Sequence, residues 1–311
     1  MPQNLFFSSS SQIASRITDL YDFVWPTAAA IWNLRYQVDK FILDNPSIDD
    51  ETLLSNFVAG SGIHGINLRR ACIKSTWDEQ QEQLAKFLLI EICALYEAWL
   101  DYVFGELGIN NNLKDSFQFP TNGNKGISNA LTSLQISVSP ELSASIYPTL
   151  VRNSKYSLFH IENLLKCYRY FKECRNSLIH HGGMANIKAV EAYAAFQPLT
   201  TINLGVTEIP DHTPIIQKGD PILLKLRGVV GLSDIVIRLI VTFDAEFSKV
   251  NNAETVLRDR WMEAYGRGLA LPFDTIRKEK KIARLIKNLG LPKPISPDKL
   301  EPFLKRYGLV I

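Results

Sequence analysis

The sequence predicts a mainly α-helical protein, a helical bundle with a small β-hairpin insertion and helical extensions at both ends. Three observations predict it. Long stretches carry apolar residues at i, i+4 and i+7 spacing, Pro-, Gly- and Asn-rich segments separate them, and β-like patterning is confined to Thr200–Val206 and Thr213–Leu226. With 311 residues and 46% hydrophobic composition, the chain can bury a substantial core without metals or cross-links. Thirty-four basic against 32 acidic side chains leave a net charge of +2. That balance excludes a histone-like mode of nucleic-acid binding, so any such contact must come from a local patch.

Taken in order, helical spacing runs through Ile13, Ile17, Tyr21 and Val24, then Ile31, Leu34, Val38 and Ile42. Trp25-Pro26 falls between the two runs and predicts two helical pieces, because proline removes a backbone donor and clashes with the preceding turn. Asn45-Pro46 stops the pattern, and Gly60-Ser61-Gly62 forms a flexible joint. Trp77 to Leu107 reads as one long helix with a buried stripe of Leu84, Leu88, Leu95, Trp99 and Val103, ended by Gly108. Residues 110 to 127 form a loop, and short helical turns follow around 128 to 135 and 140 to 147. The next helix starts at an N-cap, Ser157, and runs to His180-His181 before Gly182-Gly183. One or two helical turns follow around 185 to 195. The β-like segments then form the hairpin, with Lys218-Gly219-Asp220 as a turn. Ser233 opens an apolar helix through Phe247, and the tail from 251 contains two or three short helices. Three units result: an N-terminal helical extension over 1–70, a central domain over 71–250, and a small, basic helical extension over 251–311.

The cysteines, Cys72, Cys93, Cys167 and Cys174, form no C-x-x-C pair and at least three sit in apolar helical patterns, so reduced, buried thiols are expected. With five scattered histidines, a zinc site has little to build on. No P-loop, dinucleotide fingerprint or nucleophile elbow occurs, so no cofactor is expected. The segment Met1 to Ser15 lacks a basic leader and a sustained apolar core, and the most apolar stretch, Phe87 to Phe104, carries Glu91, Glu97 and Asp101. The expectation is a cytoplasmic protein without a membrane partner.

Winding 158–181 at about 100° per residue puts Ile161, Leu164, Tyr168, Phe171 and Leu178 on one stripe. Arg175 falls inside that stripe, where a leucine would pack. A buried guanidinium needs an anionic or strongly accepting partner. The candidates are Glu97 or Glu91 on the facing helix, or a phosphate brought by a substrate. The bland alternative is a structural Arg–Glu pair followed by histidines that complement the helix C-terminal dipole.

The segment Glu173 to Gly183, ECRNSLIHHGG, resembles the R-x4-6-H motif of HEPN domains, in the form with Asn after the Arg. Residues 94 to 104, ALYEAWLDYVF, are similar to that family's first core helix, with Glu97 at its acidic position. The likeness spans roughly 75 to 250. It implies an HEPN-like bundle that dimerises, bringing two motifs into a cleft that cuts RNA without a metal. His180, or His181 at a spacing the family tolerates, would be the general acid or base, and imidazole chemistry suits that role near neutral pH. Arg175 would hold the scissile phosphate, and Asn176 would orient either group. Products would be a 2′,3′-cyclic phosphate and a 5′-hydroxyl. The resemblance also implies a toxin or effector of a bacterial toxin–antitoxin or anti-phage system, partnered by an antitoxin or another defence protein. Five residues of helix set His180 about 140° from Arg175, a separation that a distorted last turn or a second protomer would have to bridge.

Other candidates are less specific. Arg277, Lys278, Lys280, Lys281, Arg284 and Lys287 form a basic run that reads either as a solvated face or as an RNA or partner contact. His64 and His160 read as structural histidines, and Tyr168 and Tyr170 either as core or as base-stacking rings.

Overall fold

Apolar periodicity and capping residues decide where this chain coils, and the computed structural model, which describes residues 5–109, 111–123, 125–135 and 138–311, is mainly helical. Its helices are α1 (Ser8–Asp44), α2 (Asp50–Val58), α3 (Trp77–Leu107), α4 (Ile127–Gln135), α5 (Pro140–Ser145), α6 (Tyr147–Leu150) and α7 (Ile161–His180). They continue as α8 (Ile187–Phe196), α9 (Thr201–Leu204), α10 (Leu226–Ser248), α11 (Asn251–Tyr265), α12 (Thr275–Asn288) and α13 (Glu301–Arg306). Residues 1–4, and positions 110 and 124 of the expected 110–127 loop, lie outside the described residues. Within that loop Asn111–Gln118 winds into a 3-10 helix. No helix among the described residues is long and apolar enough to cross a membrane.

The long helix α3 follows the sequence reading. Thr76 accepts from the Glu79 amide while the Glu79 carboxylate accepts from the Thr76 amide, and Gly108 closes the far end at φ 61°. Four expectations are corrected. First, α1 is one helix, not two. Pro26 is exposed, so the carbonyl it leaves without a donor, that of exposed Asp22, faces water. Second, Ser157 is no side-chain cap. It precedes a 3-10 turn, Leu158–His160, and its hydroxyl donates to the Lys155 carbonyl. Third, no strand hairpin occurs among the described residues. Thr201–Leu204 is a helical turn boxed by Thr200 and Asn203, and the 213–226 region crosses the bundle with only an isolated bridge, Met184 to Pro221. Its β-like pattern has a simple origin, since Ile222 and Leu224 alternate into the main core while the backbone at 219–222 bonds to the loop at Gly183 and Ala185. The Tyr170 hydroxyl donates to the Thr213 carbonyl. A Cβ on Gly228 of α10 would lie 1.8 Å from the Asp211 carbonyl oxygen, so only glycine admits this approach. Fourth, α10 begins at Leu226, two turns before Ser233.

Helix α10 lies at the centre, packed against α1, α3, α6 and α7, while α8 covers α7. Val241 through Ser248 are buried without a break, more than two turns, so this part of α10 meets protein on every side. Phe243 and Phe247 stack on Trp99 of α3, and Phe117 meets both edge-on. The three segments read from sequence as 1–70, 71–250 and 251–311 all contribute to this cluster, from Phe6 to Val310. A smaller cluster, Val38, Leu53, Leu68 and Cys72, joins the second half of α1 to α2 and to a π-helical turn, Arg70–Lys74.

Asp244, fully buried on α10, accepts the amides of Phe6 at 2.7 Å and Phe7 at 3.0 Å, so it fixes the start of α1. Burial pushes its carboxyl up to about 6, against the opposing pull of those amides, Ser10 and Arg260. Asp244→Ala strands both amides and should lower the unfolding free energy by about 2–4 kcal/mol in urea titrations. A carboxyl raised in the folded state contributes most below the unfolded value and loses that contribution as pH rises through the folded one. The stability gap between wild type and Asp244→Ala should therefore be larger at pH 4 than at pH 7, and a gap that widens toward pH 7 would contradict this assignment.

Candidate functional site

Two consecutive turns of α7, Arg169 to Asn176, present polar side chains to α3 and to the 118–119 segment, and they form a continuous network. Arg175 donates from Nη2 to Glu97 Oε2 at 2.7 Å and from Nη1 to Asn176 Oδ1 at 3.0 Å. The second Glu97 oxygen takes Lys172 Nζ at 3.0 Å, and Lys172 also bonds Gln118. Asn176 donates to Glu173 at 3.4 Å, and Glu173 is paired with Arg169. Arg169 and Lys172 both lie over the Phe119 ring, at 4.3 and 5.4 Å from its centroid. Three cations thus share two carboxylates, leaving one positive charge in surplus.

Glu97, and not Glu91, is the partner of Arg175, while Glu91 pairs with Arg16 at 3.6 Å. The Arg175 side chain is 16% exposed. Burial works against its charge, but Glu97, together with Cys93 and Tyr168 beside it, offsets that and holds the guanidinium above its ordinary value. Its Nε is buried without a hydrogen-bond partner. With one bond at each terminal nitrogen, each of these keeps a further N–H for an incoming acceptor.

His180 is the last residue of α7, and His181 follows at the cap. Both are exposed, and neither side chain makes a hydrogen bond or ion pair among the described residues. The helix stays regular through His180, and the turn distorts only beyond it, where Gly182 and Gly183 adopt φ 60° and 81° and the Gly183 amide reaches back to the Ser177 carbonyl. The last turn therefore does not swing His180 toward Arg175, and the separation of about 140° around the axis stands. His180 instead shares a face with Asn176, four residues earlier, and with Glu173 and Arg169. So Glu97, Arg175 and Asn176 are brought together, and His180 and His181 stand apart at the helix end.

Sequence reasoning missed Arg169, Lys172 and Phe119. Arg169 and Glu173 at i, i+4 were visible as a helical pair, but the approach of Gln118 and Phe119 is non-local and left no sequence signal. Beside them lies a cleft of about 710 Å³ lined by Phe119, Lys125, Arg169, Lys188 and Glu191. Tyr168 and Tyr170 are both buried, so neither ring can stack on a base. His160 Nδ1 lies 3.0 Å from the Asn203 carbonyl oxygen, and His64 sits in an exposed loop.

The four thiols are free and buried, and burial pushes Cys93 and Cys174 up to about 12. Among the described residues no three His, Cys, Asp or Glu side chains converge as a metal ligand set. The network offers hydrogen-bond donors and surplus positive charge, which suits a phosphate.

A double-mutant cycle of Glu97→Ala and Arg175→Ala should give a coupling of about 1–3 kcal/mol, because the pair is largely desolvated. A coupling below about 0.5 kcal/mol, the range of solvent-exposed pairs, would show that Glu97 does not hold the guanidinium.

No protein-family model, curated protein or solved structure matches the chain.

Proposed function

We propose that this protein is a metal-independent endoribonuclease with an HEPN-like bundle, working in the cytoplasm as a homodimer. The observation that carries this reading is a guanidinium, oriented by Glu97 and Asn176, within two turns of a pair of exposed imidazoles at the end of α7. The spare N–H groups of Arg175 suit a scissile phosphate, and binding there would stabilise charge as it builds on the phosphoryl oxygens. His180, or His181 beside it, would move protons at the 2′-hydroxyl and the leaving 5′-oxygen, giving a 2′,3′-cyclic phosphate and a 5′-hydroxyl. Because Arg175 and His180 point different ways on one helix, a second protomer would supply the complementary imidazole. The resemblance further suggests a toxin or anti-phage effector restrained by an antitoxin or another defence protein.

A second reading has its own support. Arg175 is already paired with Glu97 and Asn176, which suits a non-catalytic module that binds RNA or a protein and uses the arginine structurally. Incubation with mixed RNAs in EDTA separates the two. The enzyme reading expects EDTA-resistant cleavage that falls at least about 100-fold in both Arg175→Ala and His180→Ala, the scale for loss of a general acid–base or electrostatic group. Binding without cleavage would favour the module, and cleavage that survives both substitutions would remove Arg175 and His180 from the chemistry.

A further inference from the structure

Charge is unevenly distributed along the chain. Residues 251–311 hold thirteen Lys and Arg against seven Asp and Glu, a net +6, so the preceding residues carry −4 of the total +2. Much of the excess lies on α12. Its N-cap, Asp274, accepts the Arg277 amide at 2.8 Å, and Ile282, Ala283, Leu285 and Ile286 are buried along one side. That seam fixes the rotation of the helix. Lys278 is paired with Glu301 at 3.0 Å, and Lys281 donates to the Ala270 carbonyl at 2.7 Å.

The remaining four cations differ. Arg277, Lys280, Arg284 and Lys287 are exposed, and none of their side chains makes a hydrogen bond or ion pair among the described residues. Their i, i+3, i+7, i+10 spacing confines them to an arc of about 80° over a rise of about 15 Å, and that arc holds no carboxylate, since Glu279 points to another side. Phe273, 104% exposed, and Ile276, 64% exposed, stand at the N-terminal end of the stripe. A stripe kept only for solubility would gain from interspersed carboxylates, whereas an unbroken row of cations on a rigid helix matches a row of phosphates.

We propose that this face of α12 binds the phosphodiester backbone of a nucleic acid, with Phe273 placed to stack on an unpaired base. The site goes beyond the ribonuclease reading, since it requires no cleavage. A membrane surface is disfavoured because Ile282, Leu285 and Ile286 are turned into the fold, leaving only Phe273 and Ile276 at one end and no apolar face along the helix to enter the headgroup layer.

The test is fluorescence anisotropy of the full-length protein with a labelled 2′-O-methyl RNA, which lacks the attacking hydroxyl, and with single-stranded and duplex DNA of equal length. Four neutralised phosphates predict log Kd against log salt with a slope of magnitude about 3, similar for each backbone. The combined variant Arg277→Gln, Lys280→Gln, Arg284→Gln and Lys287→Gln should weaken binding at least about tenfold and remove most of that slope, and each single substitution should remove slightly less than one unit. Phe273→Ala should weaken single-stranded binding more than duplex binding. The single variants keep the test valid if the quadruple variant fails to fold. An unchanged slope in the singles would overturn the proposal, as would binding to phosphatidylserine vesicles but to no oligonucleotide. Loss of binding in the α12 variants with RNA cleavage retained would support the stripe and leave the ribonuclease reading standing, and cleavage absent with binding intact would sink the ribonuclease alone.

Discussion

A helix buried on every side can carry carboxylates only if other parts of the chain come to meet them, and α10 imposes that condition here. Asp244 and Glu246 sit on a stretch with no solvent-facing side. Asp244 is answered by the amides that open α1. Glu246 is answered by the hydroxyls of Tyr147 and Tyr156, at 2.9 and 2.8 Å, and by Lys249. An unmet buried carboxylate costs several kcal/mol, so these contacts specify which segments must surround α10. The aromatic packing of Trp99, Phe243 and Phe247 then fills the space between α3 and α10. With α3 set in this way, Glu97 faces α7 and meets Arg175.

How much of this was legible depends on whether the determinant is local. The bounds of α3 could be read from Thr76, Glu79 and Gly108, because caps act within one turn. The apolar stripe of α7, and the need of Arg175 for an acidic partner, followed from a periodicity that the packing respects. Errors arose where tertiary contact overrides a local rule. Proline breaks a helix interior when its ring and the orphaned carbonyl must be buried, and Pro26 lies on the wet side of α1. Alternating Ile222 and Leu224 resemble a strand, yet the Ile222 amide bonds to the Gly183 carbonyl in a loop and no strand runs beside them among the described residues. The choice between Glu91 and Glu97 depended on the rotation of α3, which a single sequence does not disclose.

At the candidate site the division is similar. The motif residues lie on one helix and could be read directly, whereas the ring of contacts around them closes through Gln118 and Phe119 from a distant segment. Those contacts change what the arginine is. It is a clamped donor with limited freedom, held beside Lys172 by one shared carboxylate. Holding two cations against Glu97 reduces the reorganisation needed when an anion arrives, which is the physical content of preorganisation.

The unbroken course of α1 has a mechanical corollary. A rod of 37 residues is about 55 Å long, with one half embedded in the main cluster through Ile13, Ile17 and Val24 and the other carrying the small cluster around Val38. Side chains at the start of α3 tie the outlying part to the bundle: Gln80 donates to the Ala71 carbonyl and accepts from Arg35, and Trp77 packs edge-on against Trp32. The outer half of α1 and its passengers can therefore melt as a separate cooperative unit while the bundle persists, so amide protection should step down along a single continuous helix.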